Sequence, residues 1–313
     1  MNVTVARSMA ELTPGEFLAG GTDLGERLHS GTTQAPVIDI TRLPNLDRIT
    51  IGDGGAAIGA LVRIAELGRH AQAQASYPGL TAIARTIATP QIRELATVGG
   101  VLCQRTRCWY YRHPHITCFK GGGDSCPADS GNNLYGVAFR HGPCAYPHPS
   151  SMALACLAYE ANVDTTARMR LPIADLYGDG ADPTRDHQLR EGELLTHVRL
   201  PATGGVERAS YVRLMSRRWA EWPLVECLAR VRMEESRIAL ARVCIGGVAN
   251  IPLRLPALDA RLEGAAVTPA VLRDAAELAA VGAEPTRGGQ DKRSLIVATV
   301  LDALESACGV AST

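Results

Sequence analysis

"FLAGGTDLGERL", residues 17–28, joins a short apolar run, two glycines and the start of a helical pattern. Gly20 and Gly21 have no Cβ, so a ligand could touch their backbone N–H groups. Thr22 and Asp23 are residue types that cap helices, and the unpaired N–H groups of a helix start suit a phosphate. The stretch therefore predicts a strand–turn–helix unit, which is either a phosphate-binding loop or an ordinary structural turn.

A second glycine pair, Gly99 and Gly100, follows a threonine in "ATVGGVLCQRTRC", residues 96–108. Two such loops could hold opposite ends of one extended ligand that carries phosphate groups. A further glycine-rich stretch, "GDGGAAIG" at residues 52–59, has predicted strands on both sides and no helix after it. This third stretch therefore predicts a hairpin turn rather than a dinucleotide-binding loop.

The rest of the chain reads as alternating strands and helices, followed by a hairpin and three helices. Strands are predicted at 16–21, 35–40 and 193–201, and helices at 22–30, 63–74, 77–89 and 148–163. The polar segment 201–208 is the best candidate for a linker. Beyond it, Val225, Cys227, Ala229 and Val231 alternate along one arm of a hairpin at 223–248. Helices are predicted at 256–264, 268–282 and 292–307.

Composition excludes several classes of protein. The 313 residues include 32 basic and 32 acidic side chains, so the formal net charge is zero and no nucleic-acid or anionic-membrane partner is expected. No apolar run approaches the roughly 20 residues that a membrane span requires. The start of the chain lacks the pattern of a signal peptide. Nine cysteines without an export signal favour thiols and metal ligands over disulfides. We therefore expect a cytoplasmic protein.

Four of the cysteines fall in an aperiodic segment that begins "RTRCWYYRHPHITCFKGGGDSCPADSG", residues 105–131. Cys108, Cys118, Cys126 and Cys144 have the spacing C-x9-C-x7-C-x17-C, unlike the close pairs of zinc ribbons and bacterial ferredoxins. A long aperiodic segment within a compact domain is usually functional or tied down. Four thiolates on one inorganic cluster would tie it down; a structural zinc site and unligated thiols remain alternatives.

Nine motifs in register resemble the FAD-binding medium subunits of molybdenum hydroxylases, the xanthine dehydrogenase and aldehyde oxidoreductase superfamily. They are "FLAGGTDL", "VIDITRLPNLDRI", "IGALVRIAEL", "YPGL", "IATPQIRELATVGG", "QRTRC", "HPSSMA", "GELLTHVRLP" and "CIGGVANIPLR". The resemblance implies an α+β fold: a PCMH-type FAD-binding domain of two α/β subdomains at 1–203, then a smaller α+β domain with an antiparallel sheet and helices at 204–313.

The same resemblance implies which residues hold noncovalent FAD. Residues 17–24 would wrap the pyrophosphate, residues 97–101 would hold it from the other side, and Ile87 and Leu195 would lie near the flavin. Three positions depart from the family pattern: Val101 replaces an Asn, Ser151 an Asp and Arg213 a Lys. The full set comprises Phe17, Leu18, Ala19, Gly20, Gly21, Thr22, Asp23, Leu24, Ile87, Thr97, Val98, Gly99, Gly100, Val101, Ser151, Leu195 and Arg213.

A subset of the family, which includes 4-hydroxybenzoyl-CoA reductase and periplasmic-type aldehyde oxidoreductases, carries a [4Fe-4S] cluster in an insertion at this place. The resemblance therefore implies that the insertion at about 104–146 binds such a cluster through Cys108, Cys118, Cys126 and Cys144. Cys103 is expected to pack instead, and Cys156, Cys227, Cys244 and Cys308 to lie on apolar faces. Arg105, Arg107, Arg112 and Lys120 either supply cations to the cluster or form an ordinary solvated basic loop.

The implied function is electron transfer within a heterotrimer. A large partner would hold the molybdenum cofactor, a small partner would carry [2Fe-2S] clusters, and FAD in this chain would pass electrons to an external acceptor. No catalytic residue is expected here, and a signal-bearing partner could carry the complex to the periplasm. The alternatives are a self-contained flavin oxidase or dehydrogenase and a zinc-stabilised binding module.

Overall fold

The computed structural model describes residues 3–131, 133–217, 220–289 and 291–310. The chain begins with a three-stranded parallel sheet in the order β1-β3-β2, and one helix follows β2. Its elements are β1 (Val3–Val5), β2 (Glu16–Leu18), α1 (Leu24–His29) and β3 (Val37–Asp39). Ile38 is 1% exposed and packs with Leu43, Leu46 and Phe17 in a small core. This unit confirms the strand–turn–helix order predicted for residues 16–30.

A five-stranded antiparallel sheet in the order β4-β5-β8-β6-β7 forms the next layer. Its strands are β4 (Ile49–Gly52), β5 (Gly55–Gly59), β6 (Asn162–Thr165), β7 (Leu171–Pro172) and β8 (Leu195–Leu200). Gly52 pairs with Gly55 at the β4–β5 turn, which confirms the predicted hairpin. Helices cover one face of this sheet, and they are α2 (Ile64–Arg69), α3 (Ala71–Ser76), α4 (Pro78–Thr86), α6 (Val98–Leu102), α9 (Ser151–Ala158) and α10 (Ile173–Tyr177). Helix α5 (Pro90–Leu95) has no buried residue and packs beside α2.

Two of the predicted helices in this region are wrong in extent. The helix predicted at 63–74 breaks at His70, whose Nδ1 accepts the N–H of Ala73 at 3.1 Å and so starts α3. The helix predicted at 148–163 ends at Ala158, because Glu160 takes a left-handed φ of 52° and the chain then enters β6. Helix α5 was not predicted.

The cysteine segment contains only short elements. They are α7 (Trp109–Arg112), a 3-10 turn (Phe119–Gly121) and α8 (Pro127–Ser130). Lys292 of the C-terminal part, 2% exposed, anchors the far end of this segment, because its Nζ donates to the carbonyl oxygens of Tyr135, Gly136 and Gly247.

The C-terminal part is a four-stranded antiparallel sheet in the order β12-β11-β10-β9, with three helices. Its elements are β9 (Glu207–Met215), β10 (Pro223–Glu234), β11 (Arg237–Gly246), β12 (Leu253–Arg254), α11 (Pro256–Leu262), α12 (Pro269–Leu278) and α13 (Lys292–Cys308). Val225 and Cys227 face these helices, whereas Leu228 faces the core of the preceding part. The sheet therefore buries both faces. This arrangement confirms the predicted mixed α+β fold with an antiparallel C-terminal sheet. None of the helices in the described ranges is long and apolar enough to cross a membrane.

Candidate functional site

The two glycine segments line one cavity of about 320 Å³. The turn between β2 and α1 forms one side, the start of α6 forms another, and the chain that leads into β8 completes the wall. The predicted residues on this wall are Phe17, Ala19, Gly20, Gly21, Thr22, Asp23, Leu24, Thr97, Gly99, Gly100 and Leu195. Two others lie outside it: Leu18 belongs to β2, and Val98 packs into the core.

The glycines of the first cavity have different steric roles. A Cβ on Gly20 would lie 1.9 Å from the carbonyl oxygen of Leu95, and one on Gly99 would lie 2.8 Å from the Cβ of Ala60. These two positions therefore require glycine for close packing of the wall. Gly21 has a φ of 69°, which L-residues rarely adopt, although a Cβ there would meet nothing nearer than 3.4 Å. Gly21 thus makes the turn and leaves the cavity side open.

Backbone N–H groups distinguish the two glycine segments. The N–H groups of Gly20, Gly21, Thr22 and Asp23 donate to no other residue in the described part of the chain. In the second segment, by contrast, Gly99 donates to the Ala60 carbonyl at 2.9 Å, and Gly100 donates to Thr97 Oγ1 at 3.2 Å. The first segment therefore offers free donors to a ligand, and the second offers mainly a close surface.

The second glycine segment is helical rather than a loop. Helix α6 starts at Val98, and Thr97 caps it, so Gly99 and Gly100 occupy its first turn. The reason is tertiary: the carbonyl oxygens of Ala60 and Val62 accept the N–H groups of Gly99 and Val98 and hold that turn in place.

A second cavity of about 330 Å³ adjoins the first, because Thr22 and Gln104 line both. Its predicted wall residues are Thr22, Ile87, Val101, Ser151 and Arg213. Ile87 and Val101 make an apolar side together with Ile64, and Arg213 brings a guanidinium whose Nη2 donates to the Glu221 carbonyl at 2.7 Å. Because Ile87 and Leu195 lie in different cavities, they flank different parts of an elongated space.

Several wall residues were not predicted from the sequence. In the first cavity, Glu193 is buried, with a side chain 2% exposed, and pairs with Arg168 at 2.8 Å. Burial opposes its ionisation, but the bonds from Arg168, the Arg190 N–H and the Thr165 hydroxyl outweigh burial and lower the pKa of Glu193 to about 2. In the second cavity, Trp222 stacks under Arg107 at 4.9 Å. Glu193 lies in the motif "GELLTHVRLP", but only Leu195 of that motif was predicted at the site, and Trp222 lies in none of the nine motifs. The chain that leads into β8 and the β9–β10 connection bring these two residues to the cavities.

Asp23 does not cap α1, contrary to the prediction for this position. It is the residue before the helix, but its side chain makes no capping bond. Instead, its carboxylate faces the guanidinium groups of Arg27, Arg107 and Arg112. Burial favours the neutral acid, but Arg112, Arg107 and Arg27 outweigh it and lower the pKa of Asp23 below its usual range. Asp23 is therefore ionised and forms ion pairs with three arginines.

The four cysteines of the inserted segment converge on one small cavity. Cys108, Cys118, Cys126 and Cys144 line it together with Tyr110, Tyr111, Phe119 and Lys120. Cys108, Cys118 and Cys144 are 5%, 8% and 8% exposed. Within the described ranges, no three His, Cys, Asp or Glu side chains lie close enough to hold a single metal ion. The segment thus brings four cysteine side chains to the wall of one cavity.

Cys108 and Cys126 directly precede the short helices α7 and α8, although neither side chain caps its helix. The backbone N–H of Ala145 donates to the Cys126 sulfur at 3.5 Å. The neighbouring Cys144 thiol lowers the pKa of Cys126, and the N–H groups of Ala145, Ala128 and Asp129 lower it further against the opposing effect of burial. Burial raises the pKa of Cys108 to about 11, and the N–H groups of Tyr111 and Tyr110 oppose that rise.

The remaining cysteines and the basic residues of the segment have other surroundings. Cys156, Cys227 and Cys244 are buried in the cores, and Cys308 is half-buried beside one. Cys103 packs against the core and also lines the first cavity, where burial raises its pKa to about 12. Arg105, Arg107, Arg112 and Lys120 form neither a solvated loop nor a ring of free cations, because each is paired with a carboxylate.

Comparison with known proteins identifies the family. Residues 4–203 match the family described as "FAD binding domain in molybdopterin dehydrogenase", and residues 210–304 match "CO dehydrogenase flavoprotein C-terminal domain". The aldehyde oxidoreductase FAD-binding subunit of Escherichia coli is 34% identical over 263 residues, which is 81% of each chain. The carbon monoxide dehydrogenase medium chain of Hydrogenophaga pseudoflava is 26% identical over 89% of this chain and 84% of that one.

Solved structures share the fold. The reconstituted CO dehydrogenase of Oligotropha carboxidovorans aligns with a TM-score of 0.78 at 20% identity, over 99% of this chain and 98% of that one. The chain therefore belongs to the family of FAD-binding medium subunits of molybdenum hydroxylases, as its motifs predicted, and its FAD-binding domain makes it a flavoprotein subunit of an oxidoreductase.

Proposed function

We propose that this subunit transfers electrons within an aldehyde oxidoreductase-like complex, from the [2Fe-2S] clusters of a small partner through FAD to an external acceptor. The observation that carries this proposal is the set of four free N–H groups at Gly20–Asp23 on the wall of the first cavity. Unpaired N–H groups at a glycine turn and helix start are the donors that a pyrophosphate requires. The flavin would supply the redox chemistry, and the chain would bind and orient it.

The two adjoining cavities suit the elongated shape of FAD. The pyrophosphate would lie against the first glycine segment, with Gly99 and Gly100 as the opposing surface. One end of FAD would enter the second cavity between Ile87 and Val101, and Ser151 and Arg213 would bind its polar groups. Leu195 would flank the other end. We propose a boundary near residue 203 between the flavin-binding and C-terminal domains.

We further propose that Cys108, Cys118, Cys126 and Cys144 bind a [4Fe-4S] cluster. The four cysteines line one cavity, and the backbone N–H of Ala145 donates to the Cys126 sulfur at 3.5 Å. A [4Fe-4S] cluster is held by four Cys thiolates, which matches the number of cysteines on this cavity. A structural zinc site is the competing occupant, and metal analysis separates the two.

An ultraviolet–visible spectrum with metal analysis tests this assignment. Bound flavin with a broad iron–sulfur shoulder is expected. Flavin without iron would favour a self-contained flavin oxidase, and zinc without flavin would favour a binding module. We also expect copurification with a large molybdenum-cofactor chain and a small [2Fe-2S] chain. Substrate-dependent dye reduction by this chain alone, free of molybdenum, would contradict the proposal.

A further inference from the structure

The carboxylate of Asp23 lies where the first glycine segment meets the cysteine segment. Its Oδ1 accepts a hydrogen bond from Arg112 Nη2 at 2.6 Å and lies 3.3 Å from Arg107 Nη2. Its Oδ2 accepts from Arg27 Nε at 3.1 Å and from the backbone N–H of Arg105 at 3.2 Å. A carboxylate has about four lone-pair sites. The protein therefore uses all of the accepting capacity of Asp23, and this side chain has none left for a ligand.

Burial makes these contacts mutually dependent. The side chains of Asp23, Arg27, Arg107 and Arg112 are 12%, 5%, 13% and 8% exposed. Loss of one partner from a buried ion pair leaves an uncompensated charge, which is strongly unfavourable. The glycine segment and the arginines consequently hold each other in position.

Two of these arginines, Arg107 and Arg112, flank Cys108, the first cysteine of the segment. Arg112 also donates to the carbonyl oxygens of residues 105 and 106, at 3.0 Å and 2.9 Å. These bonds join the two ends of segment 105–112. Cys108 lies within this segment, and its side chain lines the cysteine cavity. A metal that binds Cys108 would fix the same backbone that delivers Arg112 to Asp23.

We infer that Asp23 is a positioning residue that couples the two cofactor sites, so that an ordered cysteine site strengthens FAD binding and bound FAD orders the cysteine segment. This inference rests on the proposed function. The two effects must be equal, because coupling between two binding sites is reciprocal. Asp23 acts through its backbone, which carries one of the free N–H groups at the first cavity.

The test compares FAD affinity in two states of the full chain, each first stripped of flavin: one loaded with iron and sulfide, the other treated with an iron chelator. The loaded wild type should bind FAD at least about fivefold more tightly, the lower end of usual site–site coupling. In Asp23→Asn the two affinities should become equal. Glu94→Gln is the matched control, because Glu94 makes an exposed pair with Arg69 and should keep the wild-type ratio.

A second measurement needs no variant. FAD should slow proteolysis of residues 105–131 in the wild type. This protection tests the coupling between the two sites even if Asp23→Asn does not fold. Equal FAD affinity in both wild-type states, an unchanged ratio in Asp23→Asn, or no protection by FAD would overturn the inference. Iron and flavin contents are measured separately: a chain that takes up no iron refutes the cluster alone, and the protection by FAD still tests the coupling.

Discussion

Gly21→Val is the sharpest test of the flavin site, because the structure separates its two effects. The substitution forces a β-branched residue into a backbone with φ of 69°, and it places atoms on the open side of the turn, beside the free N–H groups. The first effect is strain of about 1–3 kcal/mol in the folded chain. The second effect falls mainly on a ligand, because a Cβ at this position would come no nearer than 3.4 Å to Leu18 Cδ1, its nearest protein neighbour.

Gly31→Val is the matched control. Gly31 has a φ of 73° and no atom within 4 Å of a built Cβ, but it lies beyond the end of α1 and away from both cavities. The two variants should therefore lose a similar free energy of unfolding, measured by urea denaturation of the flavin-free proteins. Any additional loss of flavin in Gly21→Val then reports on contact with FAD.

The assay is the flavin content of the purified variants, followed by FAD titration of the stripped proteins. Gly31→Val should purify with wild-type flavin. Gly21→Val should purify without it and bind added FAD at least about tenfold more weakly, since a loss of about 1.4 kcal/mol corresponds to a factor of ten. Full flavin occupancy in Gly21→Val would refute the assignment of the first glycine segment to the pyrophosphate.

Three further substitutions test other parts of the molecule. Cys118→Ser should remove about four irons per chain, the content of one cubane, and hasten proteolysis of residues 105–145, whereas Cys308→Ser should do neither; unchanged iron would exclude Cys118 as a ligand. Lys292→Met leaves three carbonyl oxygens without their donor and should lower the unfolding free energy by about 2–4 kcal/mol, while the exposed Arg293→Met should have little effect. The pKa of Glu193 falls from an ordinary 4.5 to about 2 on folding, so it stabilises the fold above pH 4.5, and this stability, about 3 kcal/mol, is lost as pH falls from 4.5 to 2. Glu193→Gln should flatten that part of the pH dependence, and an unchanged slope would contradict the assigned ion pair.

Local sequence patterns correctly predicted those helices and strands that pack one side against a continuous apolar layer. The alternation at Val225 and Cys227 marked a strand because one side of β10 faces a continuous apolar layer. The helix at residues 98–102 was harder to predict from the sequence, because each glycine in a helix costs about 1 kcal/mol relative to alanine. The carbonyl oxygens of Ala60 and Val62 reverse that preference, and they come from a distant part of the sequence.

At the candidate site, too, contacts with distant segments decide the role of a charged residue, and the local sequence does not reveal them. Asp before a helix predicts a cap that contributes about 1 kcal/mol. At Asp23, buried charge-assisted bonds to Arg27 and Arg112 are stronger than that cap, and Arg112 comes from another segment. The cysteines were recognisable because ligand residues are rare and clustered, whereas Glu193 carries no comparable signal in a chain with 32 acidic residues.

Asp186 explains why the basic residues of the cysteine segment are not free cations for a cluster. Its carboxylate, 3% exposed, pairs with Arg105 at 2.7 Å and with Lys120 at 3.1 Å. Burial opposes ionisation, but Lys120 and Arg105 outweigh it and lower the pKa of Asp186 well below its usual range. Lys120 lines the cysteine cavity, and Arg105 lines the first cavity. Arg105 and Lys120 share this one carboxylate, so the three groups together carry a net charge of +1, and Lys120 meets the cysteine cavity as a paired ammonium rather than a bare one. A cluster bound there, as we propose, would have this paired ammonium and the Ala145 N–H at the Cys126 sulfur beside it. Through these two ion pairs, Asp186 links a wall residue of the cysteine cavity to a wall residue of the first cavity. Asp23 similarly links the first glycine segment to the cysteine segment. The cysteine segment is therefore held within the N-terminal part of the fold by buried ion pairs rather than attached to its surface.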